Sequence, residues 1–138
     1  MEKSASNNTS LPMALKILIV DDEIDICYLL SGILRQKNYK SSYVNTLSDT
    51  ELALKKESFS LIFLDNHLPD GLGVDFISYA KKYYPDTRVV MITANDTAAD
   101  REKAYAEGVD YFMSKPFTRD MVYEVISLVA GEMDHKKV

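Results

Sequence analysis

The sequence predicts an α/β domain: a doubly wound (βα)5 arrangement in which a five-stranded parallel sheet carries helices on both faces. Three observations predict it. From Leu15 onward, short apolar runs alternate five times with longer stretches of helical periodicity. Two of the runs, LIFL and VVMI, are apolar at every position, as burial on both sides of a sheet requires. Parallel neighbours also need crossover connections, and helical crossovers cover the sheet they connect.

The elements follow in order. Strand 1 is LKILIV, and the first helix places Ile26, Leu29, Leu30, Ile33 and Leu34 at i, i+3, i+4, i+7 and i+8, one apolar face. Strand 2 is KSSYV, followed by a less regular helix around Leu47 to Glu57. LIFL is strand 3. The third helix runs from about Val74 to Tyr84 with Phe76, Ile77 and Ala80 inward, and Pro85 stops it. RVVMI is strand 4, and the fourth helix lies between about Thr97 and Glu107, ended by Gly108. YFMS is strand 5. The fifth helix begins after Pro116 with Thr118 as N-cap and buries Met121, Val122, Val125, Ile126 and Val129. The expected organisation is a polar, disordered tail over 1–13, one domain over 14–132 and a short tail over 133–138.

Composition narrows the function. With 138 residues and 46% hydrophobic content the chain suits one core. Sixteen basic against 21 acidic residues give a net charge of −5 with no basic cluster, which disfavours direct contact with nucleic acid. Cys27 is the single cysteine, so no internal disulfide forms; its helical spacing reads as a small core residue, in keeping with a reducing cytoplasm. The start, MEKSASNNTSLP, lacks an apolar signal core and no segment has membrane-spanning length, so a cytoplasmic chain without a membrane contact is expected.

In open parallel sheets, ligands collect outside the carboxyl ends of the strands. Strand 1 ends in Asp21 and Asp22, strand 3 in Asp65, strand 4 in Thr93, and strand 5 in Ser114 and Lys115. Taken singly, each has a structural explanation: Asp after a strand suits a turn, and acidic residues before a helix suit its dipole. Together they place three carboxylates, two hydroxyls and an ammonium at one edge. Such carboxylates repel one another unless a cation joins them, and few oxygen ligands with room for water and substrate favour Mg2+ over Ca2+.

These residues resemble the receiver domain of bacterial two-component response regulators, across nearly all of residues 14–132. The motifs are IVDDE (Asp21, Asp22, Glu23), LDNHLPDGLG (Asp65, Pro69, Gly71), ITA (Thr93, Ala94) and KPF (Lys115, Pro116, Phe117). The resemblance implies the flavodoxin-like strand order 2-1-3-4-5. It implies that Asp65 accepts a phosphoryl group from a sensor histidine kinase or phosphotransfer protein. Asp22, Asp65 and the backbone carbonyl of His67 would ligate Mg2+, with Asp21 acting through water. Lys115 and Thr93 would contact phosphoryl oxygens, Ala94 would leave room for the group, and the Lys115–Pro116 peptide would be cis. The protein would be a phosphoacceptor that promotes its own phosphorylation and dephosphorylation, not a conventional enzyme.

The resemblance also implies a switch, in which Thr93 moves inward and Phe112 follows into the vacated space. Phe in place of the commoner Tyr removes a hydroxyl, so the switch rests on packing. The responding surface would be helix 4, strand 5 and helix 5, including Tyr105 and Tyr111, meeting a downstream effector or a second copy. His67 and Asn95, two positions after Asp65 and Thr93, flank the path of a hydrolytic water and are expected to set phosphoryl lifetime. Three rivals are weaker. A phosphorylation-independent interaction module of the same fold is one; an aspartyl phosphohydrolase would show DxD where this chain has DNH; and a nucleotide or flavin binder would need glycines where it has DDE.

Overall fold

The sheet is built from β1 (Lys16–Val20), β2 (Lys40–Val44), β3 (Leu61–Asp65), β4 (Arg88–Thr93) and β5 (Tyr111–Ser114), and five helices connect or follow them: α1 (Ile24–Gln36), α2 (Leu47–Lys56), α3 (Gly73–Tyr83), α4 (Ala98–Glu107) and α5 (Arg119–Lys137). The computed structural model describes residues 15–137, so the tail expected over 1–13 lies outside the described residues. The strands lie in the order β2-β1-β3-β4-β5, and every neighbouring pair is parallel. This is the flavodoxin-like order that the sequence motifs imply.

Strand periodicity explains why both faces are covered. Side chains alternate across a sheet, so an unbroken apolar run feeds two cores at once. Ile17, Ile19, Phe63 and Ile92 join one core under α1 and α5. Leu18, Val20, Ile62 and Leu64 join the other under α2, α3 and α4. β2 pairs only with β1, and its KSSYV sequence is largely exposed, as suits an edge.

Local signals set the helix ends. Thr46, Thr97 and Thr118 each accept a hydrogen bond from the amide three residues on, those of Asp49, Asp100 and Met121, at 3.0–3.1 Å. Gly108 ends α4 with φ of 107°, a left-handed conformation that glycine adopts without a Cβ penalty. α2 buries only Thr50 and Leu54, which accounts for its weak periodicity. Its N-terminus gains a second anchor: the Asp70 carboxylate accepts from the amides of Leu47 and Ser48 at 2.9 and 3.0 Å.

Three expectations need adjustment. The buried face of α1 is Cys27, Leu30, Ile33 and Leu34, while Leu29 is 49% exposed. Cys27 and Leu34 centre the face one step round the helix, and this turns Leu29 outward. Helical backbone also continues through Lys137, into the EMDHKK expected to follow the fifth helix, because that stretch holds no glycine or proline to stop it. Met121 is half-buried, whereas Val122, Val125, Ile126 and Val129 are buried.

Phe63 sits fully buried at the centre of the middle strand. Phe63→Ala should lower the unfolding free energy by about 3–5 kcal/mol in urea titration. A loss below about 1 kcal/mol would contradict the packing described.

Candidate functional site

β1, β3, β4 and β5 all run in the same direction, so their carboxyl ends form one edge. Asp21 and Asp22 follow β1, Asp65 and Thr93 are the last residues of β3 and β4, and Lys115 follows β5. One carboxylate oxygen from each of Asp21, Asp22 and Asp65 lies within 4.8 Å of the others. The Lys115 ammonium reaches among them, 2.9 Å from Asp21 Oδ2, 3.1 Å from Glu23 Oε1 and 3.5 Å from Asp65 Oδ1.

The backbone around these groups is tightly tied. Asp21 Oδ1 accepts from the Glu23 amide at 2.9 Å, and the Asp21 carbonyl accepts from Asn45 Nδ2 at 2.8 Å and from the Cys27 thiol at 3.4 Å. Beyond Asp65, buried Asn66 caps α3: its carbonyl accepts from the Gly73 amide at 2.7 Å and its Oδ1 from the Val74 amide at 2.9 Å. A Cβ at position 73 would run into the Asp65 carbonyl, so only glycine lets α3 start this close to the strand end.

Burial and like charge dominate the electrostatics. Asp65 is 6% exposed, and burial, followed by the nearby Asp21 charge, pushes its carboxyl up to about 6 despite the opposing pull of Lys115. Burial likewise raises Asp21, with Lys115 and the Glu23 amide working the other way. Burial disfavours the charge on Lys115, but the Asp21, Asp65 and Glu23 carboxylates outweigh it and hold the ammonium above its ordinary range. Burial also pushes the Cys27 thiol up to about 11, which keeps this side chain a protonated, packed donor to the Asp21 carbonyl.

The donor set fits a hard divalent cation. All three groups offer carboxylate oxygens, and Asp21 Oδ2, fully buried, accepts no hydrogen bond of good geometry although the ammonium lies close by.

The remaining expected residues divide into two groups. Thr93 is buried at the same edge, aligned with Ser114 across the β4–β5 pair, and its Oγ1 accepts from the Asn95 amide at 3.1 Å. Phe112 is buried opposite Met91, and the Arg101 guanidinium lies 4.9 Å from its ring centroid. His67, Ala94 and Asn95 are exposed. His67 opposes Leu72 in a two-residue antiparallel ladder with Gly71, and no side-chain hydrogen bond joins it to the acidic cluster among the described residues. The Lys115–Pro116 peptide is cis.

A model of the response regulator receiver domain matches residues 17–127. The chain belongs to that family. It is similar to the response regulator PilR of Pseudomonas aeruginosa, 33% identical over 112 residues that make up 81% of this chain and 25% of PilR. It is also similar to the phosphate regulon regulator PhoB of Escherichia coli, 32% identical over 108 residues, 77% of this chain and 47% of PhoB. The chain thus spans a half or less of these relatives' length. Among solved structures, the beryllofluoride-activated NtrC4 receiver domain dimer aligns with a TM-score of 0.81 and 35% identity, covering 85% of this chain and 97% of that one. Receivers of this family are signalling domains of two-component systems. No described helix of this one is long and apolar enough to cross a membrane.

Sequence reasoning about the receiver's site missed Glu23 as a partner of Lys115, Asn45 as a support for Asp21, and Asp70 and Asn66 as anchors of the loop after Asp65. Glu23 was visible in DDE, but its reach across 92 positions to Lys115 is a tertiary fact.

In the metal-free receiver, Asp65→Asn should raise stability at pH 7 by on the order of 1–3 kcal/mol, because it removes a buried charge crowded by Asp21. The sign follows from a folded carboxyl that titrates near 6 and an unfolded one near 4. Above the higher value the wild type carries the full penalty; between the two, the folded state takes up a proton and the penalty fades. Urea titrations in EDTA should therefore show the mutant's advantage shrinking as pH falls from about 7 to about 4. An advantage that is constant with pH would contradict the crowding.

Proposed function

We propose that this receiver takes a phosphoryl group onto Asp65 from the phosphohistidine of a histidine kinase or phosphotransfer protein. The observation that carries the reading is the buried Asp65 carboxylate, held at the strand edge within reach of both the Asp21–Asp22 pair and the Lys115 ammonium. A carboxylate oxygen of Asp65 forms the new bond to phosphorus while the bond from phosphorus to the donor imidazole nitrogen breaks, and the imidazole leaves with that electron pair. Little covalent chemistry falls to the protein, so catalysis is alignment and charge neutralisation. Asp22, Asp65 and the His67 carbonyl would hold Mg2+, with Asp21 through water. When bound, the ion supplies charge neutralisation at the transferring oxygens.

The chain's own groups do the rest. Lys115 exchanges a carboxylate contact for a phosphoryl oxygen, and Thr93 offers its hydroxyl hydrogen to another, since its oxygen already accepts from Asn95. Ala94 leaves space at the exposed mouth. The buried ring of Phe112 answers the movement of Thr93 by packing alone, and α4, β5 and α5, with Tyr105 46% exposed, present the result to an effector or a second copy. The beryllofluoride activation of the related NtrC4 receiver dimer supports both parts of this reading. His67 and Asn95 set the lifetime by orienting or blocking water. The reading places the protein in the cytoplasm with its kinase.

Intact mass after incubation with phosphoramidate should show one added phosphoryl group that requires Mg2+, is absent from Asp65→Asn, and forms at least about 10-fold more slowly in Lys115→Ala. Followed over time, His67→Ala and Asn95→Ala should each change the decay rate by about 2-fold or more. Decay at the wild-type rate in both variants removes them from the lifetime role. Absence of any uptake by a folded wild type leaves a phosphorylation-independent interaction module.

A further inference from the structure

Arg101 stands in the first turn of α4, outside the phosphoryl chemistry, yet it touches two other elements. Its Nη2 lies 2.5 Å from Asp96 Oδ2, and its guanidinium stacks 4.9 Å from the centroid of Phe112 on β5. The same Asp96 oxygen accepts the hydroxyl of Ser114, the last residue of β5. Asp96 is three residues beyond Thr93, and the intervening Asn95 amide donates to Thr93 Oγ1. Ser114 aligns with Thr93 and precedes Lys115, whose amide donates to the Thr93 carbonyl at 2.8 Å.

An exposed ion pair alone contributes little. Here the shared acceptor and the stacked ring fix a geometry: one carboxylate oxygen joins the β4–α4 loop, the start of α4 and the end of β5. We propose that Arg101 is a positioning residue that clamps the Thr93–Thr97 segment and the Phe112 ring in the arrangement seen here. Displacement of Thr93 toward a phosphoryl group then has to loosen the clamp, and the first turn of α4 moves with it. Arg101 thereby sets how readily the site reaches its phosphorylated arrangement. This deepens the phosphoacceptor reading and rests on it for its kinetic consequence.

Amide hydrogen exchange of the full chain tests the clamp in the wild type, Arg101→Met, Ser114→Ala and the double variant, with Met keeping the apolar stem over Phe112. Each single substitution should speed exchange in the first turns of α4 about 5-fold, the double variant should add nothing further, and β1 and β3 should stay unchanged. Among the described residues the side-chain hydrogen bond of Ser114 goes to Asp96, the carboxylate that Arg101 also holds, so wild-type exchange in Ser114→Ala, or multiplying effects in the double variant, overturns the clamp. The second readout is phosphoryl uptake at saturating phosphoramidate with Mg2+, which should be about 3-fold faster in Arg101→Met. A rate at or below the wild-type value overturns the coupling. If the wild type accepts no phosphoryl group, the phosphoacceptor reading fails by itself, and the exchange measurements alone decide the clamp.

Discussion

Asp21 and Asp65 are buried together at one sheet edge, and the ammonium of Lys115 is the positive charge in contact with both. Two unit charges about 4 Å apart interact by about 4 kcal/mol at the effective dielectric typical near a protein surface. Carboxylates at this spacing therefore oppose folding unless cations answer them. Lys115 answers only part: burial and the Asp21 charge still raise the Asp65 carboxyl to about 6, and Asp21 Oδ2, 2.9 Å from the ammonium, accepts no hydrogen bond of good geometry. The receiver keeps an edge that folding alone leaves short of positive charge, and this shortfall is what a divalent ion can exploit.

The surrounding structure serves that edge. Parallel strands bring residues more than 90 positions apart to the same end, as Asp21 and Lys115 show. Around them, Asn45 and Cys27 hold the Asp21 carbonyl, Asn66 and Gly73 start α3 against the Asp65 backbone, and Asp70 ties the following loop to α2. Preorganisation of this kind lets a site act through alignment, since its groups need not be gathered at the moment of reaction.

Much of this was legible in the sequence because it rests on periodicity and position. LIFLD declared a strand buried on both faces with a carboxylate at its end, and Thr97 and Gly108 marked the limits of α4. Leu29 was misread because helical spacing defines a stripe without fixing its centre, and packing against β1 and α5 set that centre at Cys27 and Leu34. The continuation of α5 was missed because a polar ending reads as a tail unless the absence of a stop signal is weighed. Contacts such as Glu23 to Lys115, Asp70 to the α2 amides and Arg101 to Asp96 depend on Glu23, Asp70 and Arg101, exposed charged residues whose sequence context matches that of any solvated face.

The claim on which the account turns is that the acidic edge is a cation site. Calorimetric titration of Mg2+ into the wild type and into Asp22→Asn tests it most directly, because Asp22 is exposed and its replacement leaves the core intact. One ion per chain, bound at least about 10-fold more weakly by the variant, a difference of about 1.4 kcal/mol, is the result expected. Equal affinity in the two proteins, or no saturable binding to the wild type, would contradict it.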